Sequence, residues 1–131
     1  MRILVTNDDG IDSIGMHVLA RAMCRLDGDH EIIVAAPDEE YSGAGASLGA
    51  LHLIHPEVRR AHIDDCPADA IWSVTGPPAL CVMFSRLGAF GPPFDLGPVI
   101  LRCFVTDITA EEAIKFFSRT VERVQARLRT A

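Results

Sequence analysis

Arg2-Ile3-Leu4-Val5-Thr6 runs directly into Asn7-Asp8-Asp9-Gly10, and the reading of these nine residues decides the fold. A short apolar, β-branched run reads as a buried strand, which puts the paired carboxylates at its carboxyl end. In open α/β sheets ligands bind just past the strand ends on that edge. Two adjacent acids there repel each other unless something positive lies between them, and a divalent cation is the usual answer. Gly10 allows a sharp turn, so Asp8 and Asp9 can point into one small volume. The stretch predicts a hard-metal site, hence phosphate chemistry or metal-assisted hydrolysis. The competing reading is that Asn-Asp-Asp-Gly is ordinary turn chemistry with solvated acids.

Downstream, Met16, Leu19, Ala20, Met23 and Leu26 recur at helical spacing, and Gly28 closes the pattern. Glu31 to Ala36 reads as a second buried strand stopped by Pro37. Strand, helix, strand implies a right-handed βαβ unit and a parallel sheet. The second strand opens into Asp38-Glu39-Glu40-Tyr41-Ser42-Gly43-Ala44-Gly45-Ala46-Ser47, a loop leaving the same sheet edge as Asp8 and Asp9. Its small residues let the backbone amides near Gly43 and Gly45 cluster around an anion, and the Ser42 hydroxyl can add a ligand or hydrogen bond. Loops of this composition are common, so the signal alone is weak.

Leu51 to His55 and Ile71 to Thr75 are further strand candidates, separated by a polar stretch. Gly76-Pro77-Pro78 leads into a helix over Ala79 to Leu87, since proline suits a first turn. Gly91-Pro92-Pro93 reads as a loop and Val99 to Val105 as a strand. Thr109 with Glu112 makes a capping-box signature for a last helix. Ile114, Phe117, Val121, Val124 and Leu128 form its apolar seam; Lys115, Arg119, Arg123 and Arg127 form a solvated basic face. The expected fold class is α/β: a Rossmann-like, doubly wound, mainly parallel sheet with flanking helices.

At 131 residues the chain is expected to be a single domain over 1–131. With 49% apolar and 23% charged residues it is neither disordered nor membrane-spanning. No targeting segment is recognised, which makes the cytoplasm the default and a membrane partner unexpected. The net charge of −6 argues against a nucleic-acid duplex as partner. The charge is uneven: residues 1–109 carry −8 and residues 110–131 carry +2. Cys24, Cys66, Cys81 and Cys103 show no C-x-x-C pair and read as buried reduced thiols. The five histidines show no ligand spacing and read as structural or surface residues.

Ile3 to Gly15, Val34-Ala35-Ala36-Pro37-Asp38 and Ser42-Gly43-Ala44-Gly45-Ala46-Ser47 together resemble the SurE family, metal-dependent nucleotidases acting on nucleoside monophosphates. The resemblance continues more weakly through Trp72 to Ala79 and covers about the first 96 residues in order. It implies that Asp8, Asp9 and Ser42 hold a Mg²⁺ or Mn²⁺ ion, and that the protein forms a homo-oligomer, a dimer or tetramer. The family's fourth ligand is an Asn in a later segment that has no counterpart here: Asn7 is the only asparagine. The chain resembles a SurE protein lacking an internal block between Leu96 and Gly97, and lacking the family's C-terminal part. We expect that block to belong to the polypeptide, because deleting a sheet-edge loop with its ligand leaves the metal half caged.

The resemblance implies a metal-dependent phosphomonoesterase, a 5′-nucleotidase, that converts nucleoside monophosphates to nucleoside and phosphate. Asp8 and Asp9 are then the catalytic pair, and Ser42, Gly43 and Gly45 hold the phosphate. Oxygen ligands suit Mg²⁺ or Mn²⁺, whereas zinc favours His or Cys. The alternatives are an inactive SurE-like remnant serving as a binding or structural module, and a response-regulator receiver. A receiver shares the acid pair, but it needs an Asp ending its third strand and a Lys ending its fifth. Leu51 to Pro56 contains no Asp, and the only lysine, Lys115, lies in the last helical pattern.

Overall fold

β1, Arg2–Thr6, is buried at every position, and its side chains divide between two cores. Ile3 and Val5 join one core; Leu4 joins the other. Alternation of this kind puts successive side chains on opposite faces of a sheet, so β1 is covered on both sides. β2, Glu31–Pro37, repeats the pattern: Ile32, Val34 and Ala36 face the first core, Ile33 and Ala35 the second. A strand buried on both faces reads as a continuous apolar run, which is why these two were visible without alternation. The computed structural model describes residues 1–41, 43, 53, 55–100, 115, 119, 122, 123 and 126, with the backbone alone for 96–100.

The remaining elements are α1 (Ile14–Met23), β3 (Val58–Arg60), β4 (Ala70–Val74), α2 (Pro78–Arg86) and β5 (Leu96–Ile100). The sheet order is β3-β4-β2-β1-β5. β1 pairs in parallel with β2 and β5, and β2 in parallel with β4. α1 supplies Met16, Leu19, Ala20, Ala22 and Met23 to the first core. α2 supplies Leu80 and Cys81 to the second. The doubly wound, mostly parallel α/β arrangement expected from the sequence is the observed one. From β1 the chain proceeds outward through β2 to β4, then returns to β5 on the other side of β1. That reversal is a topological switch point, and the crevice it opens lies at the carboxyl ends of β1 and β5.

Several boundaries differ from expectation. α1 ends at Met23 with Cys24 as its C-cap, while Leu26 stays buried beyond the helix. β3 was read as part of a polar stretch. It is an edge strand antiparallel to β4 whose two arginines face outward, a common way to blunt an edge. Arg60 lies over the Trp72 ring, 4.0 Å from its centroid. Leu53 lies in a 3₁₀ turn and His55 in no regular element, so the strand expected over Leu51 to His55 is absent at its described positions. β5 begins at Leu96, earlier than expected, and Leu96 and Gly97 are consecutive residues within it. The register shifts by one at this point, since Ile3 faces Leu96 but Val5 faces Val99. Positions 101–114 and 127–131 lie outside the described residues, as does the apolar seam of the last helix. Lys115, Arg119 and Arg123 are helical and exposed, in keeping with a solvated basic face.

Arg2 fastens the 90–94 turn to the start of β1. Its guanidinium donates to the Phe90 and Pro92 carbonyls and to Glu31 Oε2 at 2.8 Å, and lies 4.3 Å from the Phe94 ring centroid. The Arg2 amide donates to Asp95 Oδ2 at 2.7 Å, which places the chain for its entry into β5.

The thiols divide as well. Cys81 is fully buried, as expected, but Cys24 and Cys66 are only half-buried and lie side by side. Burial pushes the Cys81 thiol from 9.0 up to about 12. A group whose folded pKa is raised gives stability that is full below its unfolded value and lost as pH rises through the folded one. Unfolding free energy should therefore fall between pH 9 and about 12, by on the order of 1 kcal/mol per pH unit from this group. Cys81→Ala should flatten that part of a pH series of urea melts; an unchanged slope would remove Cys81 as its cause.

Candidate active site

The turn after β1 is held by its own polar groups. Asn7 is buried; its Nδ2 donates to the Gly10 carbonyl (3.2 Å) and to Ser13 Oγ (3.0 Å), and its Oδ1 accepts from the Gly10 amide (3.2 Å). Ser13 Oγ donates to the Gly10 carbonyl at 2.9 Å and, as N-cap of α1, accepts from the Met16 amide at 3.2 Å. Such a cap satisfies one of the free amides at the helix start. Asn7, Gly10 and Ser13 thus form a closed network that carries Asp8 and Asp9 between its members.

A second set of bonds ties this turn to the loop after β2. The Ile11 amide donates to the Pro37 carbonyl at 2.8 Å, and the Tyr41 amide to the Asp8 carbonyl at 2.7 Å. Between these two bonds Gly10 sits against the backbone of Glu39. A Cβ at Gly10 would lie 3.0 Å from the Glu39 carbonyl oxygen, and Gly10 has φ +96°, in the region that L residues avoid. His17 Nε2 lies 3.1 Å from the Ile11 carbonyl and helps fix the far side of the turn. His17 is therefore a structural histidine, as read from the sequence.

Asp8 is buried and Asp9 half-buried, both at the carboxyl end of β1 and at the switch-point crevice. Asp38, Glu39 and Glu40 follow β2 on the same edge. Burial, then the carboxylates of Asp38 and Glu39, raise the Tyr41 phenol above its ordinary range. Carboxylate oxygens are the donor set a hard divalent cation accepts, and Asp8 and Asp9 offer them here. Among the described residues no group of three or more His, Cys, Asp or Glu side chains gathers as a metal cluster. Gly43 has φ +91°, and among the described residues nothing lies within 4 Å of where its Cβ would be. Ser42 and Gly45 lie outside the described residues. What the sequence did not reveal is the role of Asn7 and Ser13, whose spacing to Gly10 becomes meaningful only once the turn closes.

The family described as survival protein SurE matches residues 3–96. The match ends at Leu96. A relative from Brevibacillus brevis named 5′-nucleotidase SurE is 45% identical over 82 residues, covering 63% of this chain and 29% of the relative. One from Clostridium tetani with the same name is 35% identical over 96 residues, covering 73% of this chain and 36% of the relative. The chain thus spans about a third of the length of the relatives it matches. The crystal structure of a SurE protein from Aquifex aeolicus superposes with a TM-score of 0.63 at 22% identity, over 95% of this chain and 60% of that one. That last likeness is one of fold. Among the described residues no helix is long and apolar enough to cross a membrane.

Proposed function

We propose, because the chain belongs to the survival protein SurE family, that it is a metal-dependent phosphomonoesterase that hydrolyses nucleoside monophosphates to nucleoside and phosphate. The observation that carries this reading is the acid pair Asp8 and Asp9, held at the switch-point crevice by the Asn7–Gly10–Ser13 network and by the Tyr41 amide. The relatives from Brevibacillus brevis and Clostridium tetani are named 5′-nucleotidase SurE.

In this reading Asp8, Asp9 and Ser42 hold Mg²⁺ or Mn²⁺. When bound, the cation supplies Lewis-acid polarisation of a phosphoryl oxygen and offsets charge that develops in the transition state. The protein's own part is positional. Asn7 and Ser13 keep the carboxylate-bearing turn from relaxing, so little reorganisation is needed as the reaction proceeds. The backbone amides of Gly43 and Gly45 orient the remaining phosphate oxygens, and water is the nucleophile. We also assign a homo-oligomeric state on the strength of the resemblance, and propose a cytoplasmic location with no role for nucleic-acid duplexes or membranes.

The test is phosphate release from a panel of nucleoside monophosphates with Mn²⁺, Mg²⁺ or EDTA. Turnover that requires a divalent ion supports the assignment, and EDTA-resistant turnover overturns its metal dependence. A second reading, a SurE-like module that binds without turning over, is favoured by one observation: Asn7, the only asparagine, is committed to the turn itself, so no asparagine remains to complete the family's ligand set. Mn²⁺ titration followed by calorimetry, beside the turnover assay, separates the two. Metal and nucleotide binding without phosphate release would establish the module.

A further inference from the structure

Cys24 caps the C-terminal end of α1, and its Sγ lies 3.9 Å from that of Cys66 in the loop between β3 and β4. The loop is fastened on both sides of Cys66, to α1 before it and to β2 after it. Arg21, three residues before Cys24, donates from Nε and Nη2 to the Asp64 carbonyl at 2.9 and 2.7 Å. Ile63 is inserted into the core beneath α1. Asp65 turns the chain at φ +54° immediately before Cys66. Beyond Cys66, Asp69 exchanges two hydrogen bonds with Ile32, at 2.7 and 2.9 Å. Both sulfurs are only half-buried, so a small reagent can reach them, and closing 3.9 Å to the ~2.05 Å of a disulfide is a matter of side-chain rotation.

We propose that Cys24 and Cys66 are a modification site that closes to an intramolecular disulfide on reaction with a small-molecule disulfide such as oxidised glutathione. The Cys66 thiolate attacks the small disulfide, forming a mixed disulfide and expelling one small thiolate, which takes up the proton Cys66 released. Cys24 then attacks the Cys66 sulfur. The Cys24–Cys66 bond forms, the mixed disulfide breaks, and the second small thiolate leaves with the Cys24 proton. The two cysteines are oxidised by two electrons and one small disulfide is reduced to two thiols. Burial, then the neighbouring Cys66, raise the Cys24 thiol, so the exchange is expected to speed up as pH rises.

The location sets the consequence. α1 starts beside the acid-bearing turn at Ser13 and runs back to the opposite edge of the sheet, where the loop ahead of β4 also lies. A bond there leaves the Asp8–Asp9 turn as it is and constrains the unfolded chain between residues 24 and 66. It stabilises the protein without altering the site.

The experiment is incubation of the full chain with oxidised glutathione at about pH 8, followed by non-reducing peptide mapping and thermal melts. A linked Cys24–Cys66 peptide is expected, with a Tm about 5–10 °C above that of the reduced protein. Cys66→Ser should give neither the link nor the gain, while Cys24→Ser should retain a glutathione adduct on Cys66. A link through Cys81 or Cys103 instead, glutathione adducts without a link in wild type, or a Cys24–Cys66 link with no rise in Tm would each overturn the proposal.

Discussion

Asp8→Asn is expected to lower divalent-ion-dependent phosphate release by about 10³-fold, the scale associated with removing one charged group that acts on the transition state. The substitution is nearly isosteric, and the Asp8 atom that holds Tyr41 is its backbone carbonyl, which the change leaves in place. Folding should therefore survive, and the thermal midpoint is the control. Mn²⁺ affinity measured by calorimetry should fall alongside activity, because a neutral amide oxygen is a poorer ligand than a carboxylate. Asp8→Asn protein that keeps both its metal affinity and its turnover would move the chemistry away from the β1 turn altogether.

Gly10→Ala should cost about 4 kcal/mol of unfolding free energy, from the forbidden backbone region and from overpacking together. At φ +96° any side chain is strained, and the added Cβ would meet the Glu39 carbonyl oxygen at 3.0 Å and its carbon at 3.1 Å. Neither contact is with a flexible side chain, so the backbone of one loop must shift. Urea melts should show a lower midpoint with an unchanged slope. The substitution should also reduce turnover in whatever fraction stays folded, since the shift breaks the Tyr41–Asp8 and Ile11–Pro37 bonds that frame the acids. A loss below about 1 kcal/mol would show that the Glu39 backbone does not constrain this position.

The elements legible in the sequence are those whose local pattern and tertiary role agree. β1 and β2 are apolar runs because both faces are covered, and α1 shows its period because one face packs on Ile3, Val5 and Ile32. β3 was not legible, since a three-residue strand with two outward arginines carries no periodicity. Its pairing is dictated by the exposed edge of β4 rather than by its own residues. Of the site, the acid pair and Gly10 were visible because their spacing is local. The hold of Tyr41 on Asp8 was not, since it joins positions brought together only by strand pairing. The cysteines show the same division: the fully buried Cys81 follows from composition, whereas the contact of Cys24 with Cys66 depends on the path of a loop.

The paired bonds from Ile11 to Pro37 and from Tyr41 to Asp8 have a consequence for how this protein can vary. They bracket Gly10 and Glu39 like two rungs of a ladder, so the segment from Asp8 to Ile11 and the segment from Pro37 to Tyr41 must keep the same reach. A residue inserted into one of them breaks a rung and displaces the carboxylates. Length variation among active relatives should therefore be excluded from these two short windows.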